Sequence, residues 1–193
     1  MASGPSLCAE DVKLVRQWRK EGGGKVAVVN TTFRMAPWAD LLFACDGSWW
    51  RTYGPEVNEK FTGDHMYTYA QYGERFGAKR VKSVGQKGLS KNTDSITTGG
   101  NSGHQCIHLV RNLGAKRIIL LGFDMAHTYG KSHWHGNHPR GLGNAGQCGR
   151  WIELMRPLAK GLEAEGVEVI NCSRHTALDC FKREDLAETL CAS

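Results

Sequence analysis

The stretch KRIILLGFDM, residues 116–125, decides the fold class of this chain. Its unbroken apolar run is typical of a strand that is buried on both faces of a parallel sheet. Directly before it, HQCIHLVRNLGA (104–115) has the apolar spacing of an amphipathic helix. After it, CGRWIELMRPLAKGLEAEG (148–166) predicts a long helix and VEVINC (167–172) predicts the next strand. A strand followed by a helix and a further apolar strand indicates a βαβ unit.

The N-terminal part of the chain repeats this alternation. The segment AEDVKLVRQWRK (9–20) predicts a helix, and KVAVVN (25–30) and ADLLFACD (39–46) predict buried strands. The segment SWWRTYGP (48–55) predicts a short helix or turn that its final Gly-Pro pair closes. We therefore expect an α/β fold, a Rossmann-like and mostly parallel sheet with helices on both faces.

The remaining segments are shorter and more polar. HMYTYAQY (65–72) and AKRVKSV (78–84) predict strands, and the Gly/Ser/Thr-rich residues 85–103 predict a loop. The segment KREDLAETL (182–190) predicts a closing helix. Because neither a repeat nor a linker interrupts these elements, we expect one nucleotide- or nucleotide-sugar-binding domain over 1–193.

Composition and charge narrow the classes of partner and compartment. The net charge of +6 favours a phosphate-bearing partner, although no long block of like charges provides a nucleic-acid arm. The seven cysteines form no CxxC pair, which predicts free thiols and a cytoplasmic protein. The first residues do not resemble a signal peptide, and no apolar run is long enough to span a membrane.

Polar residues end several predicted strands, and they form the first set of candidate site residues. In open α/β sheets, ligands bind outside the carboxyl ends of the strands. Each of these residues could simply begin a turn, but together they predict a single crevice. The residues are Asn30, Thr31, Asp46, Asp124 and His175.

Two glycine-rich turns precede predicted helices. In TTGGNSG (97–103), Ser102 and Gly103 would present backbone amides to a phosphate or carboxylate at a helix N-terminus. This turn is neither a Walker sequence nor a GxGxxG fingerprint, so a nicotinamide cofactor has little support. The second turn, SGPSL (3–7), begins almost at the first residue.

The order of these motifs resembles a known family. GPSL stands before a helix, VVN and ACD end strands, GGNSG opens a helix, and LGAKRIILLGFDM precedes a histidine-bearing loop. This arrangement resembles the bacterial sialyltransferases of glycosyltransferase family 42. It is also similar to a domain shared by flagellin-modifying glycosyltransferases and 6-hydroxymethylpterin diphosphokinases. The similarity covers most of the chain and is strongest in residues 3–46 and 98–130.

The resemblance implies a metal-independent glycosyltransferase that uses a nucleotide-activated sugar and no cofactor. A loop over about 126–147 would act as a lid, and His138 in that loop would be the general base, with His135 as second choice. Tyr129 would hold the departing phosphate. The residues implied in nucleotide or donor binding are Gly4, Pro5, Ser6, Asn30, Thr31, Asp46, Ser102, Gly103 and Asp124.

The chain also departs from the family pattern. The family begins with a strand before GPSL, whereas only residues 1–3 precede it here, so we expect that the first strand is missing. Ser3 replaces an asparagine of the family, and Asp46 replaces an asparagine of the sialyltransferases. The pair Trp49-Trp50 has no counterpart. An exposed edge left by a missing strand would favour a homo-oligomer.

Three alternatives stay open at this point. Mg²⁺-dependent diphosphate transfer to a pterin-like alcohol would use Asp46 and Asp124 as the metal-binding pair. A non-catalytic nucleotide- or nucleic-acid-binding protein would use a stacking surface of aromatic residues interleaved with cations, and the net charge would also suit a nucleic-acid acceptor. Zinc could bind through the HxHxxH spacing of His133, His135 and His138, with Cys148 or Asp124 supplied by the fold. Against these alternatives, we expect the metal-independent glycosyltransferase and no bound metal. The aromatic residues of the stacking surface in the non-catalytic alternative are Trp49, Trp50, Tyr53, Tyr67, Tyr69 and Tyr72.

Overall fold

The computed structural model describes residues 1–128 and 130–192, and it shows an α/β fold in which all paired strands run parallel. The strands are β1 (Ala27–Val29), β2 (Leu41–Ala44), β3 (His65–Thr68), β4 (Lys79–Arg80), β5 (Lys82–Ser83), β6 (Ser95–Ile96), β7 (Arg117–Leu120), β8 (Glu168–Asn171) and β9 (Lys182–Arg183). The helices are α1 (Ala9–Lys20), α2 (Gly47–Lys60), α3 (Ser102–Asn112), α4 (Cys148–Ala164) and α5 (Leu186–Cys191). The expected fold class is confirmed.

The strands form one four-stranded sheet in the order β1-β2-β3-β4, one pair β5-β6, and one three-stranded sheet in the order β7-β8-β9. Residues 1–4 bridge the first and third of these sheets. No regular strand precedes α1, as expected, yet this segment fills the place of a central strand. Four main-chain hydrogen bonds hold it: Met1 N to Ala27 O (2.7 Å), Val29 N to Met1 O (3.0 Å), Ala2 N to Leu121 O (2.8 Å) and Gly4 N to Gly122 O (2.8 Å).

The chain order creates a topological switch point at this segment. After residues 1–4, the chain passes through α1 to β1 on one side of the segment and continues outward to β4. It later returns through α3 to β7 on the other side and continues outward to β9. The crevice at such a reversal is where open α/β sheets bind ligands.

Helix α2 is longer than the sequence predicts. The expected end at Gly54-Pro55 is wrong, because the helix continues to Lys60. Trp50, Tyr53 and Val57 lie on its buried face at helical spacing. Burial of each of these three side chains contributes about 1.5–3 kcal/mol. Together they outweigh the cost of about 3 kcal/mol for a proline inside a helix.

Other boundaries also differ from the prediction, for example β6 lies within the predicted loop 85–103. Strand β3 ends at Thr68, and Gln71–Phe76, which overlap the predicted strand 65–72, form a 3-10 helix. The predicted helix 182–190 is divided, because its first two residues pair with β8 as β9. Helix α5 begins at Leu186, where the Asp185 carboxylate accepts hydrogen bonds from two backbone amides of the first turn.

All seven cysteines are free thiols. No helix in the described part of the chain is both long and apolar enough to cross a membrane.

Candidate functional site

A cleft opens at the switch point between residues 1–4 and β7. It contains about 590 Å³ of empty space, including the part that is open to solvent. The ends of the two glycine-rich turns, the end of β1 and the residues that follow β7 form its walls. Among the predicted site residues, those that line the cleft are Gly4, Pro5, Asn30, Ser102, Gly103 and Asp124.

Gly4 allows the first turn to approach β7 closely. A Cβ atom at this position would lie 2.1 Å from Asp124 Oδ1 and 2.4 Å from Gly122 O. Both distances are far below van der Waals contact, so a larger residue would force the turn away from the sheet. The glycine that the sequence analysis placed at the nucleotide therefore also determines the shape of the cleft.

Asp124 follows β7 and fixes the turn on the opposite wall. Its carboxylate is buried and accepts hydrogen bonds from Ser6 N (2.8 Å), Ser6 Oγ (2.7 Å) and Thr128 Oγ1 (3.1 Å). Burial raises the pKa of Asp124, and the hydrogen bonds from Ser6 and Thr128 oppose that shift. Because both oxygens already accept hydrogen bonds, Asp124 holds the turn together.

Asn30 is the most unusual residue of the cleft wall. Its φ of 51° lies in the left-handed region, which asparagine tolerates better than most residues. Among the described residues, its buried Oδ1 atom has no hydrogen-bond partner. A buried amide oxygen without a partner is costly in free energy, and a ligand donor in the cleft would remove that cost.

The N-termini of two helices also face the cleft. Asn101 caps α3, because its Oδ1 accepts a hydrogen bond from His104 N (2.9 Å), and Gly103 packs where a Cβ would lie 2.8 Å from the Phe123 ring. Cys148, the first residue of α4, lies across the cleft. The first turns of helices carry backbone amides without helical partners and a partial positive charge, which together favour an anionic ligand.

Three histidines of the 126–147 loop form a compact cluster, which we call the histidine cluster: His133, His135 and His138. One ring nitrogen from each lies within 4.8 Å of the corresponding nitrogens of the other two. Ser3 Oγ lies 3.1 Å from His133 Nδ1, and Tyr53 OH lies 3.2 Å from His138 Nδ1. His133 also lines the cleft, so the cluster and the cleft are adjacent.

Burial controls the charge of this cluster. It lowers the pKa of His133 and His135 to about 4, and the charges of neighbouring histidines act in the same direction. Burial and the nearby Arg34 guanidinium also lower the pKa of His138, whereas Asp46 opposes that shift. The three imidazoles are therefore neutral at neutral pH and can accept protons or bind metal ions.

The structure places the other predicted residues outside the cleft lining. Ser6 is buried behind it against Asp124, and Thr31 is fully buried, where its Oγ1 accepts a hydrogen bond from Trp49 Nε1 (3.2 Å). Asp46 is exposed at the start of α2, and its charge acts on His138. His135 and His138 belong to the histidine cluster, and His175 is exposed. Tyr129 lies outside the described residues.

Several residues of the site were not predicted. Sequence reasoning missed Phe123, Met125 and Trp151 in the cleft wall, and it gave Ser3 no role. The stacking surface of the non-catalytic alternative included Trp49, Trp50 and Tyr53, and all three are buried in the core. The position of Ser3 in the first glycine-rich turn was the one available signal, because residues of that turn were already expected at the ligand.

Among the described residues, the group of three or more side chains that could hold a metal ion is the histidine cluster, and it includes neither Asp46 nor Asp124. Of the two carboxylates in the Mg²⁺-dependent alternative, Asp124 lines the cleft and Asp46 does not. Comparisons of the chain with protein-family models, with curated proteins and with solved structures found no match.

Proposed function

We propose that the protein binds a nucleotide-activated sugar in the switch-point cleft and transfers the sugar to an acceptor hydroxyl. The observation that carries this proposal is the meeting of residues 1–4, Asn30, the N-terminus of α3 and the residues after β7 at one reversal of strand order. The motif resemblance to glycosyltransferase family 42 supports the same activity.

The walls of the cleft suit the parts of such a donor. The N-termini of α3 and α4 present backbone amides and positive partial charge, which favour the diphosphate or phosphate group. The buried Asn30 amide would accept a hydrogen bond from the ribose or the base. The net charge of +6 favours approach of an anionic donor.

His138 is the proposed general base. Its Nδ1 contacts Tyr53 OH, which leaves Nε2 to take the proton of the acceptor hydroxyl. As that proton leaves, the acceptor oxygen bonds to the anomeric carbon, and the bond between this carbon and the phosphate oxygen breaks. The nucleotide departs with the electron pair, and the amides of α3 stabilise the negative charge that develops on its phosphate.

The first test measures nucleotide binding. A panel of nucleotides and nucleotide sugars is added to the wild-type protein, and thermal unfolding is followed. A ligand at 100 times its Kd should stabilise the protein by about 2.7 kcal/mol. If no nucleotide or nucleotide sugar shifts the midpoint at millimolar concentration, the proposal is wrong.

A matched pair of variants locates the site. Asn30→Gly keeps the left-handed backbone accessible but removes the amide, so the protein should fold normally and bind the ligand at least about tenfold more weakly. His65→Ala changes an exposed residue of β3 and should leave binding unchanged. Equal affinity in both variants would place the ligand elsewhere.

The second test measures chemistry. Release of the nucleotide from the donor, with water or a simple alcohol as acceptor, is measured for wild type and for His138→Ala. Loss of a general base should lower turnover by about 10²–10⁴-fold and leave donor affinity nearly unchanged. A protein that binds the donor but releases no nucleotide under any condition would instead be a non-catalytic nucleotide-binding protein.

A further inference from the structure

We propose that His133, His135 and His138 bind one divalent transition-metal ion, with Zn²⁺ as the chemically best matched ion. This inference concerns ion binding by the free protein and does not rest on the proposed function. An ion bound at Nε2 of His138 would occupy the atom that acts as general base in the proposed function, so that role belongs to the metal-free protein. The inference also departs from the expectation of no metal, because the fold brings the three rings closer together than their spacing in the sequence required.

The distances between the ring nitrogens are close to those of a metal site. One nitrogen from each ring lies within 4.8 Å of the others. In a tetrahedral zinc site, Zn–N bonds of about 2.0–2.1 Å place ligand nitrogens roughly 3.4 Å apart. The rings must therefore approach one another by no more than about 1.4 Å, which rotations of side chains on one loop can supply.

The hydrogen bonds of the rings indicate which nitrogens would bind the ion. Nδ1 of His133 contacts Ser3 Oγ and Nδ1 of His138 contacts Tyr53 OH, so Nε2 is the remaining ligand atom of both rings. Histidine ligands of metals commonly use their second ring nitrogen in this way, which fixes the orientation of the ring. Ser3 and Tyr53 would therefore be the outer partners of the metal site.

Two ring nitrogens of the histidine cluster are otherwise unsatisfied. Nε2 of His133 and Nε2 of His135 are buried, and neither has a hydrogen-bond partner among the residues that the structure describes. A buried polar atom without a partner is costly in free energy. A bound cation would satisfy both nitrogens at once, because it accepts their lone pairs where the described residues provide no hydrogen-bond donor.

The ligand type selects the class of ion. Three neutral imidazoles suit Zn²⁺, Cu²⁺ or Ni²⁺, whereas Mg²⁺ and Ca²⁺ require oxygen ligands. No cysteine or carboxylate from the described part of the chain joins the group. Three protein ligands allow a tetrahedral ion to take a water molecule or an acceptor oxygen as the fourth, which is the arrangement of catalytic zinc sites.

Nearby charges do not prevent cation binding. The Arg34 guanidinium acts on His135 and His138, but it forms an ion pair with Glu56. Asp46 contributes a negative charge close to His138. The positive charge of Arg34 is thus offset by two carboxylates. Because His133 also lines the cleft, the ion would lie beside the proposed donor site.

The experiment measures metal binding directly. The full chain is stripped with a chelator, and Zn²⁺ is titrated in competition with a chromophoric chelator, with total zinc determined by mass spectrometry. We expect one equivalent of Zn²⁺. We also expect Co²⁺, added to the same stripped protein, to give visible absorption characteristic of four- or five-coordinate ions, a readout that requires no variant.

Variants assign the ligands. His133→Ala, His135→Ala and His138→Ala should each weaken Zn²⁺ binding by about 100-fold or more. His127→Ala is the matched control, because His127 is an exposed histidine of the same loop outside the cluster. Circular dichroism verifies folding, and His135→Gln serves as a second variant if the alanine variant does not fold.

Two results would overturn the proposal. One is substoichiometric zinc in the wild type together with a six-coordinate cobalt spectrum. The other is an equal loss of affinity in the cluster variants and in His127→Ala, which would indicate non-specific binding to histidines. Neither result depends on a nucleotide or on turnover, so a failure here is distinguishable from a failure of the proposed function.

Discussion

Burial lowers the pKa values of two groups of histidines in this molecule, but the two groups are held in different ways. Burial lowers the pKa of His104 and His108, both in α3, to about 4. The ring of His108 lies within hydrogen-bonding distance of two backbone amides, Ser90 N (3.2 Å) and Thr97 N (3.1 Å). The ring of His108 is thus held by hydrogen bonds, and the fully buried ring of His104 is held by the packing around it.

The histidine cluster lies on a loop instead. In its described residues, the 126–147 loop contains no helix or regular strand, and its regular pairing is a single bridge between Thr128 and Lys131. Burial again lowers the pKa of His133 and His135 to about 4, but here the ring nitrogens point towards one another. The direction of the ring nitrogens, and not burial or pKa, distinguishes a structural histidine from a candidate ligand.

The largest expected effect tests whether the histidine cluster, and not the histidines of α3, makes the stability of the protein depend on metal. Zn²⁺ at 100 times its Kd should raise the free energy of unfolding by about 2.7 kcal/mol, because the ion binds the folded state. Urea denaturation of chelator-treated protein, with and without Zn²⁺, measures this. His135→Ala should show no gain. An identical gain in that variant would mean that the ion binds elsewhere, and the contrast between the two groups would disappear.

The next effect is the pH dependence of the free energy of unfolding that His104 in α3 causes. The pKa of His104 falls from 6.5 to about 4 on folding, so the unfolded state binds more protons between these values. Stability is therefore fully present above pH 6.5 and decreases as the pH falls towards 4. Between pH 7 and pH 5 this buried group should account for a loss of about 2 kcal/mol.

His104→Leu removes this titration and should reduce the pH-dependent loss by about 2 kcal/mol. Denaturation of the metal-free protein at both pH values measures it, and His65→Ala, an exposed histidine, should behave as wild type. The same pH dependence in wild type and His104→Leu would show that this histidine does not become charged on unfolding in the way that its burial implies.

A smaller effect is expected at the outer partner of the cluster. Tyr53→Phe removes the hydroxyl 3.2 Å from His138 Nδ1 but keeps the buried ring. Loss of an outer hydrogen-bond partner should weaken Zn²⁺ binding about tenfold, equivalent to about 1.4 kcal/mol. The free energy of unfolding of the metal-free protein should change by less than about 1.5 kcal/mol. Unchanged zinc affinity would show that Tyr53 does not orient the ligand.

The smallest effect is expected for His127→Ala. This side chain is exposed, and its Nδ1 lies 3.4 Å from Ser132 Oγ, at the limit of a hydrogen bond. Its removal should change both the unfolding free energy and the zinc affinity by less than about 0.5 kcal/mol. A larger change in zinc affinity would extend the metal site beyond the three histidines of the cluster.

The sequence alone determined the features that depend on local pattern. The apolar run ending at Asp124 and the strand ending at Asn30 predicted a parallel sheet with polar residues at its carboxyl edge, because a buried parallel strand requires an apolar run and its end exposes polar groups. Gly4 and Gly103 were placed at the site by their turns, and both line the cleft. These features need only neighbouring residues to be recognised.

The tertiary structure decided what depends on distant parts of the chain. Helix α2 continues past Pro55 because packing against the rest of the core outweighs a local signal to stop. His133 meets Ser3 across 130 positions of sequence, and His138 meets Tyr53 across 85. The sequence analysis noted the HxHxxH spacing, but spacing along a loop does not fix where the ring nitrogens point. Contacts from two other segments orient the rings, and no local periodicity records such contacts.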